Sequence, residues 1–516
     1  MCHSKKQKIS IWVLGIILGF ICQNAILAQQ WEASSQLSGS NNIVLEKTQL
    51  YENNFYITGR FLDTISNVTP NLISEGSWDI FIAKYNSDLV LQWIKKIGGN
   101  GNQYFSSLYI KNDTLYLVGA FEDTTFFTSS DSLISTGLSD IFLAKYSLSG
   151  DFITVKNIAS RTTYQFPSDL YVLDFNQILV SGFYMDSITV NNDTTFIQSS
   201  WNSFILKLEG NNTIWTKNII SNTNARVQNI RLYDDGYYFN GFFKDSLYLD
   251  VQNLNSINSS NDIFLYKTGF DGSGKWVRRT YGSKNDAAGS ITNDDAGNLY
   301  YTGYYKSDDF TVDSTSTLIS KDTSNNRGYY DILIHKFNRQ GNLLWKKDYG
   351  GKGEDWAQKI IEQNKLLYVT GYYSDTIELG EEIYTTNNVN DYGILLIMFD
   401  TDGNIIASEG INGSDSQQDG GTNIRIDEEN NVYTGGYFKS KNITIGENTF
   451  INPTPGNKDL WLGKYKPKLN AVITSHKNIS CTGNGDGELT ATGYFGIPPY
   501  SYKWSNGSQS QSISGL

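Results

Sequence analysis

Short runs of apolar residues alternate with polar turns along most of this chain, and none keeps the 3.6-residue apolar period of an amphipathic helix. Several runs, such as residues 80–83, are apolar at consecutive positions, which indicates strands covered on both faces. Turns rich in Gly and Asn separate them, for example at residues 271–274 and 401–404. These residue types accept the positive φ of tight hairpins, so the pattern predicts an all-β protein.

Two phrases recur together seven times, about 63 residues apart. The first is an extended run around a glycine that is followed by two mostly aromatic residues, and its glycines are Gly59, Gly119, Gly182, Gly241, Gly303, Gly371 and Gly436. The second continues through apolar residues to a Lys and an aromatic residue in most copies. It begins at Asp79, Asp140, Asn202, Asp262, Asp331, Gly393 and Asp459.

Each repeat splits into four extended stretches, A to D, in which B is the glycine phrase, C is the second phrase and D often pairs Trp with basic residues. A four-stranded blade packed between two neighbours covers both faces of such strands, so we expect a seven-bladed β-propeller. The last repeat lacks a D stretch, whereas the N-terminal residues 30–39 resemble the D stretch at residues 93–99. The N-terminal strand is therefore predicted to close the last blade.

The repeat phrase, Trp-(basic)₂-x-x-Gly-Gly, then Gly-Asn-x-Tyr-x-Thr-Gly, then Asp-x-Phe-x-x-Lys-Tyr, resembles the SBBP family of bacterial seven-bladed propeller repeats over about residues 30–466. This resemblance implies the fold and says little about function. Aromatic residues make up 14% of the chain, and we interpret this excess as packing between blades.

The N-terminal residues 1–28 are typical of a secretory signal peptide. Lys5, Lys6 and Lys8 precede an apolar run over residues 9–22, and Ala28 offers a small residue for cleavage. No other apolar stretch reaches the roughly 18 residues of a membrane span, so we expect a mature chain that is secreted or displayed at the cell surface without an integral span.

From residue 468 the repeat phrases stop. Cys481, Asp486, Pro499, Tyr500 and Trp504 fit a pattern that is similar to the SprB repeat, an immunoglobulin-like β module of Bacteroidetes surface adhesins. This resemblance implies that the module continues past Leu516, that Cys481 is half of a disulfide, and that export uses type IX secretion. The predicted domains are thus the signal peptide (1–28), the propeller (29–467) and a partial SprB-like module (468–516).

Charge and motifs exclude several functions. The net charge of −12 argues against a nucleic-acid partner. No nucleophile elbow, zinc-protease motif or phosphate loop occurs, so no catalytic residue, cofactor or metal is predicted. His335 occupies a variable packing position, residues 400–404 are interpreted as a hairpin turn and not as a calcium loop, and the acids that begin the C stretches are interpreted as turn caps.

A recurring Asp-(Ser/Thr) motif resembles the O-glycosylation acceptor of exported Bacteroidetes proteins. Its candidate acceptors are Thr64, Thr114, Thr124, Ser132, Ser187, Thr194, Ser246, Ser314 and Thr376. The alternative is a turn in which Asp and Ser or Thr cap backbone groups.

These observations favour an extracellular binding or adhesion protein whose partner is an unidentified protein or glycan. A glycan-active enzyme with its site on the propeller axis is the alternative, and a structural spacer in a larger surface protein is a third possibility.

Overall fold

The computed structural model describes residues 30–174, 177–307, 309–312, 316–318, 329–478, 485–495 and 499–516. The predicted signal peptide, Ser314 and Cys481 lie outside these residues. One compact unit spans Trp31–Tyr465, and Lys466–Leu516 belong to a second. The described part of the chain contains no helix that is long and apolar enough to cross a membrane.

The described residues form strands and turns throughout, so the protein is all-β. The strands are β1 (Gln30–Leu37), β2 (Ile43–Tyr51), β3 (Asn54–Ile65), β4 (Leu72–Tyr85), β5 (Leu91–Gly99), β6 (Gln103–Lys111), β7 (Thr114–Phe121), β8 (Thr124–Phe126), β9 (Ser132–Ile134), β10 (Asp140–Ser147), β11 (Phe152–Ser160), β12 (Gln165–Val172), β13 (Gln177–Val190), β14 (Thr194–Glu209), β15 (Asn212–Ser221), β16 (Asn224–Tyr233), β17 (Gly236–Lys244), β18 (Ser246–Tyr248), β19 (Asn253–Asn255), β20 (Asn261–Thr268) and β21 (Gly274–Tyr281). They continue with β22 (Ala287–Asn293), β23 (Leu299–Tyr305), β24 (Phe310–Val312), β25 (Ser316–Leu318), β26 (Asp331–Phe337), β27 (Leu343–Tyr349), β28 (Gly351–Lys352), β29 (Trp356–Gln363), β30 (Leu366–Ser374), β31 (Thr376–Leu379), β32 (Glu382–Thr385), β33 (Tyr392–Asp400), β34 (Ile405–Ile411), β35 (Gly420–Ile426), β36 (Val432–Phe438), β37 (Asn442–Ile445), β38 (Asn448–Ile451), β39 (Asp459–Lys466), β40 (Asn470–Lys477), β41 (Glu488–Tyr494) and β42 (Ser512–Ser514).

Seven antiparallel sets of four strands follow one another, each corresponding to one sequence repeat. They are β2-β3-β4-β5, β6-β7-β10-β11, β12-β13-β14-β15, β16-β17-β20-β21, β22-β23-β26-β27, β29-β30-β33-β34 and β35-β36-β39-β1. The first strand of each set contacts the first strand of the next, and β35 contacts β2. The inner strands therefore follow a cyclic order, which is a propeller-like arrangement.

The N-terminal strand β1 pairs with β39, as the sequence predicts. Its Trp31 ring packs edge-on against Trp461 and Tyr465, with centroids 6.4 and 5.1 Å away. Gln36 Nε2 donates to a carboxylate oxygen of Asp459 at 2.9 Å, and the backbone N–H of Gly39 donates to the other oxygen at 3.3 Å. Backbone pairing, aromatic packing and side-chain hydrogen bonds thus join the two ends of the Trp31–Tyr465 unit.

Short hairpins between the B and C strands link neighbouring sets, and the repeat phrases do not predict them. The end of β5 pairs with β8 in the next set, and the same pairing recurs as β15 with β18, β21 with β24, and β28 with β31. At the junction of the last set with the first, Gly39 bridges Ile65. These links cover part of each outer edge, which limits edge-to-edge association.

The Gly-Gly pair that ends two of the D stretches, at residues 98–99 and 350–351, has a steric cause. A Cβ on Gly98 would lie 2.0 Å from Oδ2 of Asp79, and one on Gly99 would lie 1.9 Å from the backbone oxygen of Thr124 in the next set. The first glycine thus leaves room for the buried acid that begins the C strand, and the second lets the neighbouring hairpin approach. Asp79 in turn accepts from the backbone N–H of Glu75 at 3.1 Å. The interpretation of these acids as caps is confirmed at this position.

The C-terminal unit contains one antiparallel sheet of three strands, in the order β40-β41-β42. Trp504 Nε1 donates to the backbone oxygen of Ser510 at 2.7 Å and pins the loop before β42.

Candidate functional site

The two residues that follow each B-strand glycine point to different surroundings, because successive side chains of a strand alternate between its faces. The second residue, for example Phe61, Tyr184 or Tyr373, is buried in a core cluster. The first residue lies where the inner strand of the same set begins: Phe183 pairs with Phe166, and Tyr372 with Trp356. The expectation that these aromatic residues pack between blades therefore describes only half of them.

The first residues gather aromatic rings at one end of the Trp31–Tyr465 unit. We call Tyr104, Phe105, Tyr164, Phe166, Phe183 and Trp201 the first aromatic cluster. Phe166 is its centre, with centroids 5.0–6.1 Å from the rings of Phe105, Tyr104, Tyr164, Phe183 and Trp201. Most members of the cluster remain partly exposed.

Two arginines lie on the rings of this cluster. The Arg226 guanidinium carbon is 4.1 Å from the centroid of Phe183 and 5.6 Å from that of Phe105. The Arg60 guanidinium carbon is 5.1 Å from the ring centroid of Phe105 and 4.9 Å from that of Trp78. Phe105 has φ of +53°, a backbone conformation that non-glycine residues rarely adopt and that is held only where its surroundings stabilise it.

A second aromatic cluster, formed by Tyr304, Tyr330, Trp356, Tyr372 and Tyr392, lies at the equivalent positions of the fifth and sixth sets. Trp356 stacks on Tyr304 at 3.8 Å and on Tyr372 at 5.2 Å, and Tyr372 stacks on Tyr392 at 5.1 Å with the planes 5° apart. Glu354 accepts a hydrogen bond from the Tyr392 hydroxyl at 3.0 Å. The result is a nearly parallel ladder of rings with polar groups at its margin.

Deeper along the inner strands, a polar ring replaces the aromatic residues. Each inner strand has a register irregularity at the same place, and bulges of this kind re-aim side chains. The residues at or directly after it are Lys47, Ser107, Asp169, Asn229, Ser290, Lys359 and Asn423, all polar. All but Lys47 are buried, and the Lys47 side chain is 12% exposed.

Side chains of the polar ring cross from one set to another. Lys47 donates to Oδ1 of Asp169, which also accepts from the Ser107 hydroxyl at 3.1 Å. The other Asp169 oxygen accepts from the backbone N–H of Ile230 at 3.0 Å. Lys359 Nζ donates to Asn229 Oδ1 at 3.4 Å. The centre of the unit is therefore crossed by hydrogen bonds between the inner strands of different sets.

Positive charge exceeds negative charge around Asp169. Burial by itself raises the pKa of this carboxyl, but the neighbouring cations, Lys47 first, outweigh that effect and hold the pKa at about 2. Burial lowers the pKa of Lys359 well below its usual range, and repulsion from Lys47 lowers it further. Arg231 and Arg425 add two more cations close to the same carboxylate.

The structure places the other sequence candidates outside this site. His335 is fully buried, its Nδ1 lies 2.9 Å from the Tyr301 hydroxyl, and burial lowers its pKa to about 3, so its packing role is confirmed. At residues 400–404, Asp400 Oδ1 accepts from the backbone N–H groups of Asp402 and Asn404, which is the predicted hairpin turn.

The Asp-(Ser/Thr) motif has turn geometry in most described copies. The aspartate φ lies between +55° and +70° at Asp63, Asp113, Asp123, Asp186, Asp245 and Asp375. Ser187 and Ser246 are buried, whereas Ser132 is exposed and Thr64, Thr114, Thr124, Thr194 and Thr376 are partly exposed. O-glycosylation stays a prediction, and the partly or fully exposed residues are its better candidates.

Residues 473–509 match the SprB repeat family, which confirms the predicted SprB repeat in this region.

Over 449 residues, 76% of the chain, the sequence is 23% identical to an uncharacterized WD repeat-containing protein of Acanthamoeba polyphaga mimivirus, and it spans 29% of that protein. Among solved structures, it is similar to a phage phi92 endosialidase, with a TM-score of 0.40 and 11% identity over 94% of this chain and 79% of the other. It is also similar to an acylaminoacyl peptidase of Pyrococcus horikoshii, with a TM-score of 0.38 and 11% identity over 87% and 58%.

Proposed function

We propose that this chain is an extracellular recognition protein in which residues 29–467 form a seven-bladed β-propeller that binds carbohydrate at its aromatic end, the two aromatic clusters. The partly exposed rings of Tyr304, Trp356 and Tyr392 carry this proposal. A pyranose ring presents a face of C–H groups, and such polarised hydrogens lie favourably on the electron-rich face of an aromatic ring. Tyrosine hydroxyls and Glu354 at the margin would accept and donate hydrogen bonds to sugar hydroxyls.

Two lines of support favour the propeller. The inner strands contact one another in cyclic order, and all seven sequence repeats supply a four-stranded set. The WD repeat is itself a propeller repeat, and the mimivirus relative that is named for it aligns with 76% of this chain. An extracellular location is supported by the SprB repeat, a module that is found in surface proteins, and by the predicted signal peptide.

The polar ring supports binding without catalysis. A glycosidase needs two carboxyl groups across the scissile bond, one of them kept protonated by a raised pKa. Asp169 is the one carboxylate of the polar ring, it is paired with Lys47, and its pKa is about 2. Such a group is ionised at every physiological pH and makes a poor general acid.

A glycan array probed with residues 29–467 tests the proposal. We expect the wild type to bind a defined subset of glycans and Trp356→Ala to lower affinity roughly tenfold or more, as the loss of an aromatic anchor does. Trp93→Ala is the matched control, because Trp93 lies on the outer strand β5 and contacts Tyr56 away from the aromatic end. Absence of glycan binding, or equal losses in both variants, would favour the spacer.

A further inference from the structure

Arg226 is an arginine of the aromatic end that lacks a counter-ion among the described residues. The described part of the chain offers its guanidinium no hydrogen-bond or ion-pair partner, and its Nε is buried. Arg60, by contrast, lies 3.4 Å from a carboxylate oxygen of Glu46. A guanidinium has five N–H donors, and leaving them without acceptors after desolvation costs free energy. Stacking on Phe183 and Phe105 compensates only part of that cost.

We infer that the aromatic end selects acidic saccharides and that Arg226 anchors the carboxylate or sulfate group of the ligand. The inference rests on the proposed carbohydrate-binding function. A planar guanidinium matches two oxygens of an oxyanion, and its stacking on Phe183 fixes the direction in which the fork points. The ligand oxyanion would supply the acceptors that the chain itself does not.

The charge beneath the aromatic end acts in the same direction. Lys47, Arg231 and Arg425 surround the carboxylate of Asp169, and Lys47 is ion-paired with it. The chain as a whole has a net charge of −12, so this cationic centre is a local reversal of sign. A cleft of one sign with low-dielectric walls focuses its field and concentrates ions of the opposite sign. This centre favours an anion at the aromatic end, where Glu46, Glu122 and Glu354 are the opposing carboxylates.

The burial of Arg226 is consistent with a site that binds an anion. Desolvation is the cause that lowers the pKa of this residue to about 10, so the side chain remains a cation at neutral pH. Its aromatic neighbours contribute no negative charge. A ligand oxyanion would offset the desolvation cost of the Arg226 guanidinium, and this stabilisation exists only in the complex.

The test compares short oligosaccharides that end in glucuronate, in a 6-sulfated sugar or in glucose, titrated calorimetrically into residues 29–467. We expect the two acidic ligands to bind at least about tenfold more tightly than the neutral one at low salt, with the difference shrinking at high ionic strength. The carboxylate and sulfate arms identify the source of the oxyanion. Arg226→Met should reduce the preference to within about threefold, and Arg226→Lys should retain only part of it.

Arg339→Met is the matched control, because Arg339 also stacks on an aromatic ring, that of Tyr233 at 4.5 Å, but belongs to a turn after strand C. It should keep the full preference. Arg226→Met should also melt at or above the wild-type temperature, since no internal hydrogen bond is lost. Equal binding of neutral and acidic ligands, with Trp356→Ala still harmful, would overturn the role of Arg226 and leave carbohydrate binding intact. Absence of binding to all three would overturn both.

Discussion

Lys47 and Asp169 form an ion pair between the inner strands of the first and third sets, across the centre of the Trp31–Tyr465 unit. The pair is nearly withdrawn from solvent, with side chains 12% and 2% exposed. Backbone pairing joins each set mainly to itself, so this contact between sets that are not neighbours ties the inner strands together in a way that sheet hydrogen bonds do not.

Breaking this pair should be costly. Asp169→Asn leaves Lys47 buried without its counter-ion, and we expect a loss of about 3–5 kcal/mol in the free energy of unfolding, measured with urea at pH 7. In a double-mutant cycle with Lys47→Met, the loss should be clearly less than the sum of the single losses. The pair Lys217–Asp250, whose carboxylate is 43% exposed, is the control, with an expected coupling below about 1 kcal/mol.

The depressed pKa of Asp169 adds a test by pH. A carboxyl with a folded pKa of about 2 stabilises the folded chain above its unfolded pKa of about 4. That contribution is lost as the pH falls from about 4 toward 2. Asp169→Asn should therefore differ most from the wild type above pH 4 and least near pH 2. A constant difference would show that the charge of Asp169 does not stabilise the unit.

Removing the contact that β1 makes with β39 should destabilise the Trp31–Tyr465 unit. Trp31→Ala deletes a ring packed on Trp461 and Tyr465, for which we expect a loss of about 2–4 kcal/mol. Deletion of residues 30–38 should lower the melting temperature sharply. Glu32→Gln, on the same strand, weakens a partly exposed ion pair with Lys464 and serves as the control. An unchanged melt in the deletion would contradict the role of β1.

Gly98→Ala tests the steric explanation of the Gly-Gly phrase. The added Cβ would lie 2.0 Å from Asp79 Oδ2, so we expect a loss of roughly 2–3 kcal/mol in thermal or urea unfolding. Asp79→Ala in the same chain should relieve part of that loss, because the smaller side chain leaves room. Gly210→Ala is the control: no atom lies within 4 Å of its added Cβ, and its φ of +59° costs only about 1 kcal/mol. Equal losses at both glycines would indicate a backbone effect alone.

Stability should fall as the pH rises from about 5 to 8. Burial raises the pKa of Asp459 to about 7 and that of Asp79 to about 6, whereas an unfolded Asp has a pKa of about 3.9. The folded chain therefore holds more protons than the unfolded chain between these values, and its free energy of unfolding decreases with rising pH. Asp459→Asn should flatten the melting temperature between pH 5 and 8. Asp402→Asn, on an exposed turn, should leave the slope unchanged.

The sequence predicts the strands well because the pattern of each strand occurs again in every repeat. It also predicts the partner of β1, since residues 30–39 resemble a D stretch and the last repeat lacks one. The hairpins such as β8–β9 were missed because three-residue strands carry too few positions to show a period. The two residues after each B glycine look alike in sequence, and only strand alternation assigns one to the core and the other to the aromatic end.

Arg226 and the polar ring were missed for a different reason. The A stretches vary most between repeats, so a search for recurring letters passes over them. Aligning those stretches by their partner glycines puts Lys47, Ser107, Asp169, Asn229, Ser290, Lys359 and Asn423 in one column. A column that is polar in every repeat is the signal that was available. No particular residue type marks the register irregularity that aims these side chains inward.

The pairing of β1 with β39 also governs the order of folding. Gln36 and Asp459, which hydrogen-bond to each other, are 423 residues apart in the chain. At about 5–20 residues per second, a ribosome needs roughly 20–90 s to deliver the partner of β1 after β1 itself has emerged. During that interval β1 is an unpaired strand. Contacts between residues so far apart in the chain form slowly, because the entropy of closing the loop is lost before the contact stabilises the fold. The final set is thus completed last, and a chain interrupted before β39 leaves β1 open to pairing with another molecule.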